Sequence, residues 1–298
     1  MKLKQNELFL LTQCAISAAL QAGQVITQYT NKKVVVKTKK GGSSLASQVV
    51  TEVDHLSQDI ILKTLNSTCE QFDLALLTEE SPDDQQRLEK DYFWCIDPLD
   101  GTLPFIESTH GYSIAIALVS RTGIPYIGVI FDPVTQALYY AIKGHGAYRN
   151  GSPWRLPSLN TTNQQALTFI TDRSFSQHTQ YTEVLKQLKQ LCKIQGYSEL
   201  KVIQQGGAVL NACWVLEQAP ACYFKFPKSD LGGGGLWDFA ATACLFNEIN
   251  AVATDIHGQA LDLNRPDSTF MNHRGALYTT DNHLALLITE LHRQLNEV

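Results

Sequence analysis

Trp94-Cys95-Ile96-Asp97-Pro98-Leu99-Asp100-Gly101-Thr102 is an apolar run that stops abruptly on two carboxylates, a glycine and a threonine. Residues 92–96 have the apolar-aromatic composition of a short buried strand, and Pro98, which has no N–H, cannot continue a sheet ladder. The spacing therefore predicts a turn at Asp97. Pro98 fixes its own φ, so Asp97 and Asp100 sit three positions apart on a stiff turn where both side chains can converge on one point. Converging carboxylates repel unless a cation lies between them. An all-oxygen set with no nearby His or Cys favours a hard ion, Mg2+ or Mn2+, over Zn2+. Gly101 lets the backbone approach a ligand closely, and Thr102-Leu103-Pro104-Phe105 has the composition of a helix start, whose free N–H groups attract an anion. An Asp-Pro or Asp-Gly met alone is ordinarily just a turn; the whole string 97–102 argues for a metal and phosphate site.

Around this string lies a chain of 298 residues, long enough for one large domain or two smaller ones sharing an interface. Hydrophobic content of 44% and charged content of 18% are those of a soluble globular protein. A net charge of −5 gives no general attraction to a nucleic acid polymer or an anionic membrane, so an anionic substrate needs local metal ions or placed basic residues. The seven cysteines (14, 69, 95, 192, 213, 222 and 244) are odd in number, scattered and without a Cys-x-x-Cys pair, which points to a reduced, cytoplasmic protein. Leu8, Leu11, Ala15, Ala18, Ala22 and Val25 recur at helical spacing, so the N-terminal segment is expected to be an amphipathic helix rather than a signal peptide. No segment is expected to span a bilayer.

Upstream of the string, residues 34–36 read as a strand and 37–44 as a basic, glycine-containing loop. Thr51-Glu52-Val53-Asp54 opens a helix, and Thr-x-x-Asp resembles a capping box, so Asp54 has a structural role available to it. Residues 73–78 read as a strand ending at Glu79-Glu80-Ser81. Paired glutamates are commonly solvated, but a strand end is also where sites in sheet proteins lie. Downstream, residues 112–119, 124–131 and 137–142 form three strand-like runs with short connections, a meander. Residues 152–163 are rich in Ser, Pro, Thr and Asn and mark a linker between a first half, 1–151, and a second, 164–298. The second half alternates strands (167–171, 201–204, 221–225) with helices (177–192, 208–218). Four glycines, 232–235, then precede Trp237-Asp238-Phe239-Ala240-Ala241 at the start of an apolar helix, where Asp238 can serve as a cap. Residues 255–261 read as a glycine-turn hairpin, and a last helix begins near His283.

The haloacid dehalogenase-like phosphatases carry Asp-x-Asp-Gly-Thr, but here two residues separate the aspartates. The string instead resembles the Asp-Pro-(Ile/Leu)-Asp-Gly-Thr signature of the lithium-sensitive, Mg2+-dependent phosphatases of the inositol monophosphatase superfamily. Three more strings in family order support the resemblance: Glu79-Glu80-Ser81, with Thr78 where the family has glycine, residues 206–213, and Trp237-Asp238-Phe239-Ala240-Ala241. The resemblance implies an α-β-α-β-α sandwich, α+β in its antiparallel first half and α/β with a mostly parallel sheet in its second. It implies two or three Mg2+ ions, with Mn2+ a possible substitute. Asp97 would be shared between two of them, with Glu79 and the Leu99 carbonyl on one and Asp100 and Asp238 on the other. Asp54 would pair with Thr102, Glu79 and Thr102 would position an attacking water, and the N–H groups of Gly101 and Thr102 would hold phosphate oxygens. Gly207 and Asp238 join the expected substrate contacts.

Where inositol monophosphatases place a glutamate for inositol hydroxyls, this chain aligns Lys225; adenosine 3',5'-bisphosphate phosphatases have an arginine there. Residues 258–263 also resemble the C-terminal Gly-x-Pro-Leu-Asp-Tyr of that branch. The expected function is therefore a 3'(2'),5'-bisphosphate nucleotidase acting on a small anionic phosphate ester, as monomer or homodimer. Against it stand Leu103-Pro104-Phe105 in place of Lys-Glu-Phe and residues 207–211 in place of Gly-Ser-Ser-Leu-Lys. An inositol-1-phosphate or other sugar phosphate phosphatase is the alternative, and a non-catalytic metal- or phosphate-binding protein on the same fold is the alternative of a different class.

Overall fold

The computed structural model describes residues 2–38, 49–156 and 165–296. Its first sheet contains, in sequence order, β3 (Ala75–Thr78), β4 (Tyr92–Asp100), β5 (Ser113–Ser120), β6 (Pro125–Asp132), β7 (Ala137–Ile142), β8 (Ala147–Arg149) and β9 (Ser152–Trp154). β3 and β4 pair in parallel and each later neighbour antiparallel, as short connections require. The second sheet has the order β11 (Leu200–Ile203), β10 (Leu167–Ile170), β12 (Ala221–Lys225), β14 (Ala276–Thr279), β13 (Val252–Thr254). The parallel pairing expected there holds among β10, β11 and β12, whereas β14 pairs antiparallel with both β12 and β13. A small ribbon joins β1 (Val36–Thr38) to β2 (Val49–Thr51). The strand expected at 34–36 thus lies two residues later, and most of the expected basic loop falls outside the described residues, as do residues 157–164 of the expected linker and its flank. Ser152–Trp154, at the start of that linker, pairs with β8.

Three buried clusters define five layers. α1 (Gln5–Tyr29) and α2 (Glu52–Phe72) cover the outer face of the first sheet through Leu11, Ala15, Ile26, Val53 and Ile61 against Trp94, Ile96, Ile114 and Ile116. α5 (Ala208–Glu217) and α6 (Leu236–Ile249) lie between the sheets and touch both, through a cluster running from Phe93 and Ala117 to Tyr223 and Tyr278. α4 (Tyr181–Gln195) and α7 (Asn282–Asn296) close the outer face of the second sheet around Phe169, Phe224 and Leu277. This is the α-β-α-β-α sandwich. By length and composition the 25-residue α1 does meet the criterion for crossing a membrane, contrary to the expectation that no segment would. Its apolar face is nevertheless used internally, with Leu8, Leu11, Ala15, Ala18, Ala19, Ala22 and Ile26 buried against α2 and the sheet.

β4 explains why residues 92–96 are continuously apolar. Phe93 and Cys95 face the middle helices, while Tyr92, Trp94 and Ile96 face α1 and α2, so both faces are buried. By the same alternation Asp97 follows Cys95 toward the middle layer. The turn predicted at Asp97 is not what forms. β4 continues to Asp100, and its register against β5 slips, Asp97 opposite Ala115 and Asp100 opposite Ser113. One extra residue is absorbed as a bulge, and Pro98 sits inside it, where a missing N–H interrupts no regular ladder.

Candidate metal and phosphate site

The bulge delivers Asp97 and Asp100 to the edge of the middle layer, where the first turn of α6 brings Asp238. Carboxylate oxygens of these three residues lie within 4.8 Å of one another. Asp97 and Asp100 are buried and Asp238 is half-buried. Burial pushes the Asp100 carboxyl well above its usual range, and the neighbouring Asp238 charge adds to it. Burial likewise raises Asp238 to about 6, Lys225 pulling it back and Glu79 pushing it further. Such a trio stores repulsion that a cation relieves, and its donors are all oxygen, which fits Mg2+.

Each member is held by backbone. Asp97 Oδ1 accepts from Leu99 N at 3.0 Å. Asp100 accepts from Ala208 N at 3.1 Å and Val209 N at 3.0 Å, so the first turn of α5, more than a hundred residues away in sequence, grips it with free N–H groups. A side chain at residue 207 would block this approach: a Cβ on Gly207 would stand 2.4 Å from Asp100 Oδ2. Asp238 caps its own helix by accepting from Gly235 N, and Gly234 is tied to Met271 by a 2.9 Å backbone bond, so the glycine run is pinned here.

Asp54 combines both roles open to it in the sequence. Its Oδ2 accepts from Thr51 N at 2.8 Å in the capping box, and its Oδ1 accepts from Thr102 Oγ1 at 3.2 Å. Thr102 Oγ1 also lies 3.3 Å from the Leu99 carbonyl. Gly101, with φ of 83°, turns the chain from β4 into the five-residue α3 (Thr102–Ile106), a left-handed conformation that favours glycine. Glu79 lies outside the trio, half-buried at the end of β3, its N–H bonded to the Ile96 carbonyl at 3.1 Å.

Lys225 is not the solvated loop charge that a sequence allows. It ends β12 with its side chain 15% exposed, forms a 2.9 Å ion pair with Asp172, and lies 5.5 Å from the centre of the Phe239 ring. Burial would lower its pKa, but Asp172 and Asp238 outweigh that and raise it. Asp172 was missed in the sequence. It lies two residues past the end of β10, and the strand-end argument applied to Glu79 would have found it.

A model of the inositol monophosphatase family matches residues 8–296. The chain belongs to the inositol monophosphatase family. It is 29% identical over 267 residues to the 3'(2'),5'-bisphosphate nucleotidase CysQ of Aggregatibacter actinomycetemcomitans, covering 88% of this chain and 90% of that one. To human inositol monophosphatase 2 it is 28% identical over 253 residues, covering 84% and 82%. The structure of an inositol monophosphatase from Anabaena (Nostoc) sp. PCC 7120 superposes with a TM-score of 0.70 at 23% identity and 96% coverage of both chains. Family phosphatases thus share this chain's fold over nearly its whole length.

Proposed function

We propose that this family phosphatase is a Mg2+-dependent phosphomonoesterase that removes the 3'-phosphate of adenosine 3',5'-bisphosphate or a related nucleotide. The observation that carries the hydrolytic part is the convergence of Asp97, Asp100 and Asp238 oxygens within 4.8 Å. Those three carboxylates, with Glu79 and the Leu99 carbonyl, would hold Mg2+. When bound, Mg2+ polarises phosphoryl oxygens and makes water more acidic. Thr102 spends its proton on Asp54 or the Leu99 carbonyl, which leaves its oxygen free to accept from a water and so orient it. Glu79, at the strand end beside the trio, is the base that takes the water's proton. The N–H groups of Gly101 and Thr102 would hold phosphate oxygens, and the absence of a side chain at Gly207 lets Asp100 lie against the first turn of α5.

Lys225 supports a substrate with a second phosphate, as does the nucleotidase activity named for the CysQ relative. The ion pair with Asp172 favours the second reading, an inositol or sugar phosphate, because a carboxylate accepts hydrogen bonds from hydroxyls. A Mg2+-dependent phosphate-release screen over nucleotide bisphosphates, inositol phosphates and sugar bisphosphates tests the proposal. The nucleotide is expected to give the highest kcat/KM; preference for inositol 1-phosphate would favour the second reading, and no release from any substrate would refute hydrolysis.

Lys225→Ala is expected to lower kcat/KM for adenosine 3',5'-bisphosphate by about 10-fold, the worth of one charge-assisted contact partly offset by Asp172. Inositol 1-phosphate should change much less. Equal losses for the two substrates would instead assign Lys225 to the support of Asp238. Lithium is expected to inhibit phosphate release where sodium does not, since a small cation suits an all-oxygen site; equal inhibition by the two salts would contradict that.

A further inference from the structure

β10 occupies a special place in the second sheet. The connection from β10 through α4 leads to β11 on one side, and the next, through α5, crosses back to β12 on the other. In sheets of this kind ligands bind outside the carboxyl ends of the strands, where the order reverses. Three side chains meet there around one carboxylate. Asp172 Oδ1 accepts from Tyr223 Oη at 2.8 Å and from Asn211 Nδ2 at 3.2 Å, while its Oδ2 faces Lys225 Nζ at 2.9 Å. Tyr223 and Asn211 are fully buried, so the carboxylate is fixed on one side and directs its other oxygen to the lysine. Nearby, the buried atoms Thr171 Oγ1 and Gln204 Nε2, just past the ends of β10 and β11, and Asn211 Oδ1 in α5 have no hydrogen-bond partner among the described residues. The same α5 that supplies Asn211 grips Asp100 at its first turn, so this cluster adjoins the phosphate site.

We propose that Asp172 is a specificity-determining residue, which sets the charge of the subsite for the part of the substrate distant from the scissile phosphate. The proposal rests on the phosphatase reading above. Asp172 clamps Lys225 and partly cancels it, so the pair presents an acceptor and a donor side by side. The carboxylate beside the cation reduces what a second phosphate gains from Lys225 and adds an acceptor for a ring hydroxyl, so Asp172 narrows the margin between the two substrate classes. Asp172→Asn keeps the shape and the Oδ1 acceptor but turns the oxygen facing Lys225 into a donor, which releases the lysine toward the substrate.

The readout is the ratio of kcat/KM for adenosine 3',5'-bisphosphate to that for inositol 1-phosphate. In Asp172→Asn this ratio is expected to rise about 10-fold, the scale of one charge-assisted contact. Asp172→Glu, which keeps the charge, is expected to restore it to the wild-type side. A parallel change in both substrates, or an unchanged ratio, would show a merely structural role and overturn the proposal. Calorimetric binding of adenosine 5'-monophosphate gives a second arm that needs no turnover. Asp172→Asn should tighten it about 10-fold, and failure to tighten would also overturn the proposal. Absence of phosphate release by the wild type would refute the hydrolytic reading alone, because the binding arm still decides the role of Asp172.

Discussion

Asp97→Asn is expected to reduce Mg2+-dependent turnover by about two orders of magnitude or more while leaving the fold intact. Asp97 is 1% exposed and its Oδ1 accepts from Leu99 N, an acceptor role that asparagine reproduces. Removing its charge takes one anion out of a buried trio, so the metal-free protein should unfold at the same temperature or slightly higher. What asparagine cannot supply is the charge that a divalent ion needs in a site otherwise shared by Asp100 and Asp238. A folded variant with near-normal activity would remove Asp97 from the site.

Gly207→Ala is expected to be nearly as damaging without replacing any ionisable group. The new methyl would stand 2.4 Å from Asp100 Oδ2, closer than any real contact, and that carboxylate is already fixed by Ala208 N and Val209 N. Either Asp100 or the first turn of α5 must move. A displacement of about 1 Å at reacting groups costs on the order of 100-fold in rate, and overpacking costs about 1 to 3 kcal/mol in stability. Steady-state kinetics with a thermal melt checks both. Wild-type activity in this variant would mean that the grip of α5 on Asp100 is irrelevant to the site.

The difference between these two residues shows what sequence reasoning reaches. Asp97, Asp100 and Thr102 were legible because three constraints, a strand end, a proline and a glycine, fall within nine consecutive residues. The layers were legible too, since periodicity and short connections are local signals. The bulge at Pro98 was not, because a slip in register depends on β5, the partner strand. The contact between Gly207 and Asp100 spans the two sheets and leaves no local mark. Lys225 was visible as a charge, but its meaning depends on Asp172, a residue just past the end of β10 that only the fold brings to 2.9 Å. Asp54 and Asp238 had two readings each, and geometry shows why neither had to be chosen: in each, the carboxylate that caps its helix also faces the site.

The proposed magnesium site for hydrolysis of a phosphate ester is built on the carboxylates of Asp97, Asp100 and Asp238. It is tested most directly by stripping the purified protein with a chelator and following phosphate release from adenosine 3',5'-bisphosphate as Mg2+ is added back. No release is expected without metal, and saturable recovery is expected with Mg2+, lost in Asp97→Asn. Release that persists at full rate in the stripped protein, or recovery that is equally strong in Asp97→Asn, would contradict it.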